Sequence, residues 1–199
     1  MAKRSCNGEA FVRALEAGTA HLERNATAIN QLNVFPVPDG DTGTNMLLTM
    51  RAALEELARS PDRSLSAVTR SAAHGALMGA RGNSGVILSQ LLRGLAEVLK
   101  GEATLNATNF AAALKEASLT AYRGMVAPVE GTILTVAREA AEAAHRLLQR
   151  VRPRKARSRR KVQPKWRGHG GTMAMLARDP YGPCGAALFE PRPEGRGYP

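Results

Sequence analysis

The chain has 199 residues, which is enough for one well-buried domain and short for two. Aromatic residues make up only 4% of the composition, so a β-sandwich is disfavoured and closely packed helices are favoured. Of the net charge of +11, residues 151–199 carry +9 and residues 1–150 only +2, so the longer segment shows no sign of a nucleic-acid partner.

Apolar residues recur at helical spacing through the first half of the chain and predict three helices there. Asn7 is placed to cap the first helix. The second runs from about residue 44 to residue 60, where Pro61 ends it. Ser64 caps the third, which continues to the glycine-rich segment 79–85. The predicted buried stripe of the second helix consists of Met46, Leu47, Met50, Leu54 and Leu57.

Three further helices are predicted from the same spacing. The fourth starts within the segment 79–85 and reaches Lys100. The fifth begins near residues 106–108. The sixth begins near Pro128, a residue type favoured in the first helical turn, and continues to about Arg150. Because no segment shows the sustained alternation of a strand, the predicted fold class is all-α.

The composition changes after residue 150. Residues 151–199 contain seven of the eleven prolines and a dense basic run at 152–161. A segment of this composition shows little helical or strand periodicity and is predicted to be disordered. We therefore assign residues 7–150 to a folded domain and residues 151–199 to a basic tail rich in Arg, Pro and Gly.

The sequence also predicts where the protein resides. Cys6 and Cys184 have no metal-ligand spacing and fit a reducing cytosol. No apolar stretch of a signal peptide follows the N-terminal basic residues. The most apolar segment, residues 86–99, contains Arg93 and Glu97 and is too short to span a bilayer. We expect a cytoplasmic protein without a membrane span.

The most informative segment is residues 33–46, NVFPVPDGDTGTNM. Asp39 and Asp41 flank a single glycine, and two prolines stiffen the approach to them. Carboxylates held on a rigid loop are the ligands that a hard cation such as Mg²⁺ requires. On its own, an Asp-Gly-Asp triplet is more often an ordinary surface turn.

A second segment, residues 79–85 (GARGNSG), leads into an apolar helix. Glycines at a helix entry leave backbone N–H groups free to point at an anion, and the helix dipole assists. Ser84 is placed to donate a hydrogen bond or to cap the helix. A plain turn between two helices explains the glycines equally well. A Walker A loop is excluded because no Gly-Lys-Ser/Thr sequence follows them.

A third segment, residues 128–136 (PVEGTILTV), taken alone indicates only the start of a helix. Together, the three segments predict a chemistry that none of them predicts alone. Two acidic ligands for Mg²⁺ and a glycine-rich helix N-terminus for phosphate are the components of phosphoryl transfer, which depends on positioning and charge neutralisation. The sequence therefore predicts one phosphate site built from three loops.

These three segments, in this order and at similar spacing, resemble the dihydroxyacetone-kinase L-subunit (DhaL) family. The resemblance is closest to the N-terminal kinase domain of the bacterial fatty acid kinase A-type proteins, and it covers residues 7–150. It implies an antiparallel α-helical barrel whose helix-joining loops at one end bind ATP or ADP through two magnesium ions.

The resemblance also implies roles for individual residues. Asp39 and Asp41 match the catalytic, metal-binding aspartates. A third metal-binding aspartate of the dihydroxyacetone branch falls near Asn33, a position at which the fatty-acid branch also has asparagine, so Asn33 is expected to orient a metal-bound water or ligand. The implied nucleotide-binding residues are Thr42, Thr44, Asn45, Gly82, Asn83, Ser84, Gly85 and Thr132.

Family members do not usually carry their own acceptor site. The resemblance therefore implies γ-phosphoryl transfer from ATP to an acceptor presented by a separate protein, either a fatty-acid-binding protein or a dihydroxyacetone-binding subunit. For a fatty acid the product is an acyl phosphate, and the approach at residues 33–38 favours this acceptor over dihydroxyacetone. Whether the chain forms a homodimer stays open.

The chain departs from the family pattern after residue 150. Family domains continue with further helices and a glycine-rich, Asp-containing segment that completes the nucleotide pocket, and residues 151–199 do not resemble these. We interpret the break as out-of-frame translation of a GC-rich gene, which would leave the barrel incomplete at its C-terminus. Reading the coding DNA after codon 150 in the other two frames tests this, and the absence of a family-like continuation would refute it.

Two alternatives stand beside the kinase interpretation. One is an inactive remnant that keeps only a partner-binding scaffold. The other is a non-enzymatic module whose tail binds polyanions in a salt-dependent, non-specific way. Specific nucleic-acid recognition is not indicated, because Trp166 is the only aromatic residue near the densest basic run.

Overall fold

The computed structural model describes residues 6–34 and 37–151. Six helices hold most of these residues, and within these two ranges the only β-pairing is an isolated bridge between Cys6 and Leu105. The all-α fold class predicted from the sequence is confirmed. The helices are α1 (Gly8–Gln31), α2 (Thr42–Arg59), α3 (Leu65–Met78), α4 (Gly82–Leu99), α5 (Ala107–Arg123) and α6 (Ile133–Val151).

Short polar side chains begin α1, α3 and α5 at the residues that the sequence predicts. Asn7 Oδ1 accepts a hydrogen bond from a first-turn N–H of α1 at 2.9 Å, and Ser64 Oγ accepts one from α3 at 3.3 Å. Asn106 and Asn109 form a reciprocal capping box at the start of α5. Because such caps satisfy donors that a helix leaves unpaired, they set where these helices begin.

The predicted start of the sixth helix is wrong. Helix α6 begins at Ile133 and not near Pro128. The reason is Gly131, whose φ of 79° is a left-handed conformation that an α-helix does not contain. Its N–H donates instead to Thr135 Oγ1 at 2.8 Å. Residues 125–132 are therefore a connecting loop.

Each helix packs against the next along the chain, and α2 also contacts α4. Short connections between helices that pack together make neighbouring helices antiparallel. The starts of α2, α4 and α6 therefore lie at the same end of the stack as the end of α1, and we call this the site end. Buried alanines allow the close packing that the composition predicts, among them Ala53, Ala76, Ala113 and Ala121.

Within the described ranges, α6 makes no packing contact with α1, so the helices do not close into a ring there. Among these six helices, none combines the length and the apolar character that a membrane crossing needs. The predictions made for residues 152–199, including disorder and out-of-frame translation, lie outside the described residues. The division of the chain at residue 150 stays a prediction.

Candidate active site

The starts of α2 and α4 lie side by side at the site end. Ser84, in the first turn of α4, donates from Oγ to the Thr42 carbonyl oxygen at 3.3 Å. The start of α6 joins them through an apolar cluster in which Ile87 of α4 packs with Leu134 of α6. Three helix N-termini thus lie at the site end of the six helices, and their dipoles favour a bound anion there.

Asp39 and Asp41 belong to the acidic loop, residues 33–41, of which residues 35 and 36 are outside the described part. Asn33 Nδ2 donates to Asp39 Oδ1 at 2.6 Å, so this amide directly contacts a predicted metal ligand. Asp41 is the N-cap residue of α2, yet its carboxylate makes no capping hydrogen bond. Gly40, between the two aspartates, has a φ of 67°, a conformation that favours glycine.

The N–H groups that Asp41 leaves uncapped are satisfied by Asn30, near the end of α1. Asn30 Oδ1 accepts from the Gly43 N–H at 2.7 Å and from the Thr44 N–H at 3.1 Å. Asn30 Nδ2 donates to Thr44 Oγ1 at 3.0 Å. Asn30 is not among the site residues that the sequence predicts. Its only sequence signal is an amide side chain directly after the apolar stripe of α1.

Gly43, just after the acidic loop, has a packing role and not the turn role that its residue type suggests. It lies within the first turn of α2 and is buried. A Cβ atom at this position would collide with the carbonyl oxygen of Ala26 in α1. The absence of a side chain therefore lets the two helices touch, and this contact brings Asn30 within hydrogen-bond distance of α2.

The glycine loop, residues 79–85, enters α4 without a side-chain cap. Arg81 is the N-cap residue and makes no capping bond, and the first backbone bond runs from the Gly85 N–H to the Arg81 carbonyl oxygen at 2.9 Å. The N–H groups of Gly82, Asn83 and Ser84 precede that bond. Within the described ranges no acceptor covers them, so they are available to a phosphate.

Thr49, which is fully buried in α2, connects that helix to the glycine loop. Its Oγ1 donates to the Asn45 carbonyl oxygen at 2.8 Å and accepts from the Arg81 N–H at 3.2 Å. A Cβ atom at Gly85 would collide with the same oxygen, and one at Gly82 would collide with the Asn45 amide. Thr49 is not among the predicted site residues either, because a threonine inside a helical stripe carries no signal of a contact with a distant loop.

Thr132 ends the loop at residues 125–132 and caps α6. Its Oγ1 accepts from the Leu134 N–H at 3.3 Å and donates to the Val129 carbonyl oxygen at 2.8 Å. In the described part of the chain, the hydrogen bonds of Thr132 stay within its own loop and helix. Its connection to the other two loops is therefore the apolar packing of Leu134 on Ile87.

Glu130 holds the same loop against α5 and α6. Its carboxylate accepts from Thr135 Oγ1 at 2.7 Å, from the Tyr122 hydroxyl at 2.8 Å and from the Arg138 guanidinium at 3.1 Å. The hydrogen bonds from Thr135 and then Tyr122 hold the pKa of Glu130 below its usual range. Burial, followed by the bond to Glu130, raises the pKa of Tyr122. Charge-assisted bonds thus fix this loop.

The donor set of the acidic loop fits Mg²⁺. This cation is usually bound by one or two carboxylates, while waters and substrate phosphates complete its coordination. Asp39 and Asp41 supply two carboxylates, and the cap of α2 does not use the second. Among residues 6–34 and 37–151, no group of three or more His, Cys, Asp and Glu side chains is arranged for a metal, so a zinc-type cage does not form there.

Apolar side chains are exposed at the site end and also on α6, where Val136 and Leu147 are more than half exposed. At the site end, five apolar side chains are more than half exposed. They lie in the acidic loop, at the ends of α1 and α3, and in the loop before α6. Where exposed apolar side chains form a contiguous patch beside a polar site, the patch is typical of a surface that meets another protein. The five at the site end are Leu32, Val34, Val37, Met78 and Val126.

A family model described as the DAK2 domain matches residues 36–177 of the chain. The chain belongs to the DAK2 domain family. DAK2 domains occur in the kinase subunits of the dihydroxyacetone type, which confirms the family resemblance at this level. The match continues past residue 150 into the segment predicted to be a tail.

The chain is also similar to longer bacterial proteins. Protein YloV of Bacillus subtilis is 48% identical over 144 residues, which are 72% of this chain and 26% of that protein. Uncharacterized proteins of Staphylococcus saprophyticus and Staphylococcus epidermidis are 48% and 46% identical over 138 residues, 69% of this chain and 25% of theirs. The chain thus spans about a quarter of the length of these curated relatives. Their names specify no acceptor.

Proposed function

We propose that the chain is an ATP-dependent phosphotransferase domain that uses Mg²⁺ and transfers the γ-phosphoryl group to an acceptor held by a separate protein. The observation that carries the proposal is the pairing of two helix starts. The uncapped N-terminus of α4 lies beside α2, whose preceding residue, Asp41, keeps its carboxylate out of the helix cap. Membership of the DAK2 domain family supports it.

The two helix starts divide the binding of an Mg²⁺-nucleotide between them. Asp39 and Asp41 would hold the cation, and Asn33 would orient Asp39 through the bond that it already makes. The free N–H groups of Gly82 and Asn83 would donate hydrogen bonds to phosphate oxygens at the positive end of the α4 dipole. When bound, Mg²⁺ supplies neutralisation of the charge on the transferred group.

The remaining predicted residues have supporting roles in this proposal. Thr42 and Ser84 join the two helix starts, and Asn45 lies against Gly82 and keeps the glycine loop close to α2. The Thr44 hydroxyl accepts from Asn30 and so holds the start of α2. Thr132 caps α6 and positions the third loop at the edge of the site.

The acceptor is brought by a partner in this proposal. The exposed apolar side chains at the site end support a docking surface next to the phosphates. In the transfer, an acceptor oxygen bonds to the γ-phosphorus while the bond from that phosphorus to the bridging oxygen breaks, and ADP leaves with the electron pair. A carboxylate acceptor has no proton to lose, whereas a hydroxyl acceptor releases its proton to water. A fatty acid carried by a fatty-acid-binding protein would give an acyl phosphate, and dihydroxyacetone on its own subunit would give a phosphate ester.

A label-transfer assay tests this proposal. The chain is incubated with γ-labelled ATP, Mg²⁺ and either a fatty-acid-loaded binding protein or a dihydroxyacetone-loaded subunit. We expect labelled acceptor with one of the two partners, and none from Asp41→Ala. The matched control is Asp62→Asn, which changes a carboxylate in the connection between α2 and α3. Absence of label with both partners from folded wild-type protein would count against the proposal.

A further inference from the structure

We propose that Asn30 caps α2 in place of Asp41, and that this arrangement keeps the Asp41 carboxylate available to a divalent cation. Asn30 is thus a positioning residue that acts on the site through another residue. Its capping role depends only on the hydrogen bonds of the structure. The part that concerns the cation rests on the proposed function.

The evidence begins with the donors that an N-cap normally satisfies. An N-cap side chain accepts from the second or third N–H of its own helix, and aspartate is among the residue types that do so best. In α2 those donors belong to Gly43 and Thr44, and both point at Asn30 Oδ1, at 2.7 and 3.1 Å. Asp41 occupies the N-cap position and makes neither bond.

Two further contacts keep Asn30 in this role. Its Nδ2 donates to Thr44 Oγ1 at 3.0 Å, so both ends of the amide are held by α2. Gly43 lies against the Ala26 carbonyl oxygen, which keeps the last turns of α1 next to the first turn of α2. The cap is therefore supplied by the neighbouring helix α1, so Asp41, the residue before α2, does not have to supply it.

This arrangement predicts a competition when Asn30 is removed. The donors of Gly43 and Thr44 would be left unpaired, and the Asp41 carboxylate, at the N-cap position, is a group that can accept from them. The positive end of the helix dipole favours the same movement. A carboxylate engaged as a cap is less available to a cation. Helix α4 differs, since its N-terminus has no cap from any described residue.

Thermal unfolding without divalent cations tests the capping role by a double-mutant cycle. The variants are Asn30→Ala, Asp41→Ala and both together, and Asn7→Ala, which removes the ordinary cap of α1, is the reference. We expect Asp41→Ala alone to lower the midpoint less than Asn7→Ala does. The double variant should lose more than the sum of the two single variants. Additive losses would overturn the proposal.

An Asn30→Ala protein that does not fold would overturn it as well, because Asp41 would then have failed to take over the cap. For the cation, Mg²⁺ is titrated in the presence of ATP. We expect Asn30→Ala to need a several-fold higher Mg²⁺ concentration for half-saturation. Asn30→Asp, which keeps an acceptor oxygen, should restore the wild-type value.

Equal half-saturation in wild type and Asn30→Ala, or failure of a folded Asn30→Asp to restore it, would contradict the role of Asn30. If even the wild-type chain shows no Mg²⁺-dependent binding, the proposed function fails. The unfolding cycle still decides whether Asn30 replaces Asp41 as the cap.

Discussion

Replacing Thr49 with valine removes the hydrogen-bond acceptor that holds the glycine loop on α2. Thr49 Oγ1 accepts from the Arg81 N–H at 3.2 Å, and valine leaves that donor without its partner. An unpaired buried donor costs about 1–3 kcal/mol. Because Arg81 is itself exposed, water reaches part of the loop, so we expect a loss of about 1 kcal/mol. For a domain of this size, this lowers Tm by about 2–4 °C.

The matched control is Thr69→Val. Thr69 is also buried, and its Oγ1 donates to the Leu65 carbonyl oxygen at 2.9 Å, as Thr49 donates to that of Asn45 at 2.8 Å. Both substitutions remove a bond of the same kind within a helix. Only Thr49→Val also removes a bond to the glycine loop, at the Arg81 N–H.

The assay is thermal unfolding together with ATP binding by calorimetry. If the loosened loop must be reordered when ATP binds, the same 1 kcal/mol appears as a roughly fivefold weaker Kd in Thr49→Val. Thr69→Val should bind ATP as the wild type does. Equal losses of Tm and equal ATP affinity in the two variants would refute the claim that Thr49 holds the loop.

Three further predictions concern single contacts. Gly85→Ala should destabilise the protein by about 1–3 kcal/mol in urea unfolding, because its Cβ would collide with Thr49 Oγ1. Gly18→Ala is the control, because a Cβ at Gly18 on α1 meets open space, and it should stabilise the protein by about 0.5–1 kcal/mol. Ser84→Ala should weaken Mg²⁺-ATP binding several-fold, because its bond to Thr42 is lost. Ser89→Ala is the control, since the Ser89 hydroxyl bonds within α4, and it should bind as the wild type does. Equal affinities of the two variants would contradict this role of Ser84. The lowered pKa of Glu130 means that its contribution to stability is present above its unfolded pKa of about 4.3 and is lost as pH falls through the folded value. Because the side chain is largely exposed, that contribution should be below about 1 kcal/mol. Glu130→Gln should remove that part of the acid dependence in urea unfolding, and Glu139→Gln should keep it.

Features of the fold that depend on neighbouring residues could be predicted from the sequence. Asn7, Ser64 and Asn106 each cap the helix that follows them directly, so the starts of three helices were found. The start of α6 lies later than the sequence predicts, because the left-handed backbone of Gly131 interrupts the helix that Pro128 favours in its first turn.

The contacts that hold the candidate site together depend on residues far apart in the sequence. Asn30 reaches Gly43 over 13 positions, and Thr49 reaches Arg81 over 32. Each contact exists only because two helices pack in a particular register along their axes. A sequence pattern can suggest which residue types suit a chemistry, as the carboxylates of Asp39 and Asp41 suit Mg²⁺ in the proposed function. It does not contain the helix register that selects their supporting residues.

The most direct test of this account is a calorimetric titration of ATP into the purified chain, with and without Mg²⁺, beside Asp41→Ala and the control Asp62→Asn. The account predicts binding that requires Mg²⁺, that is lost in Asp41→Ala and that persists in Asp62→Asn. Circular dichroism of each sample establishes that it is folded. A folded wild-type chain that binds no ATP in the presence of Mg²⁺, or binds it equally well after Asp41→Ala, would contradict the account.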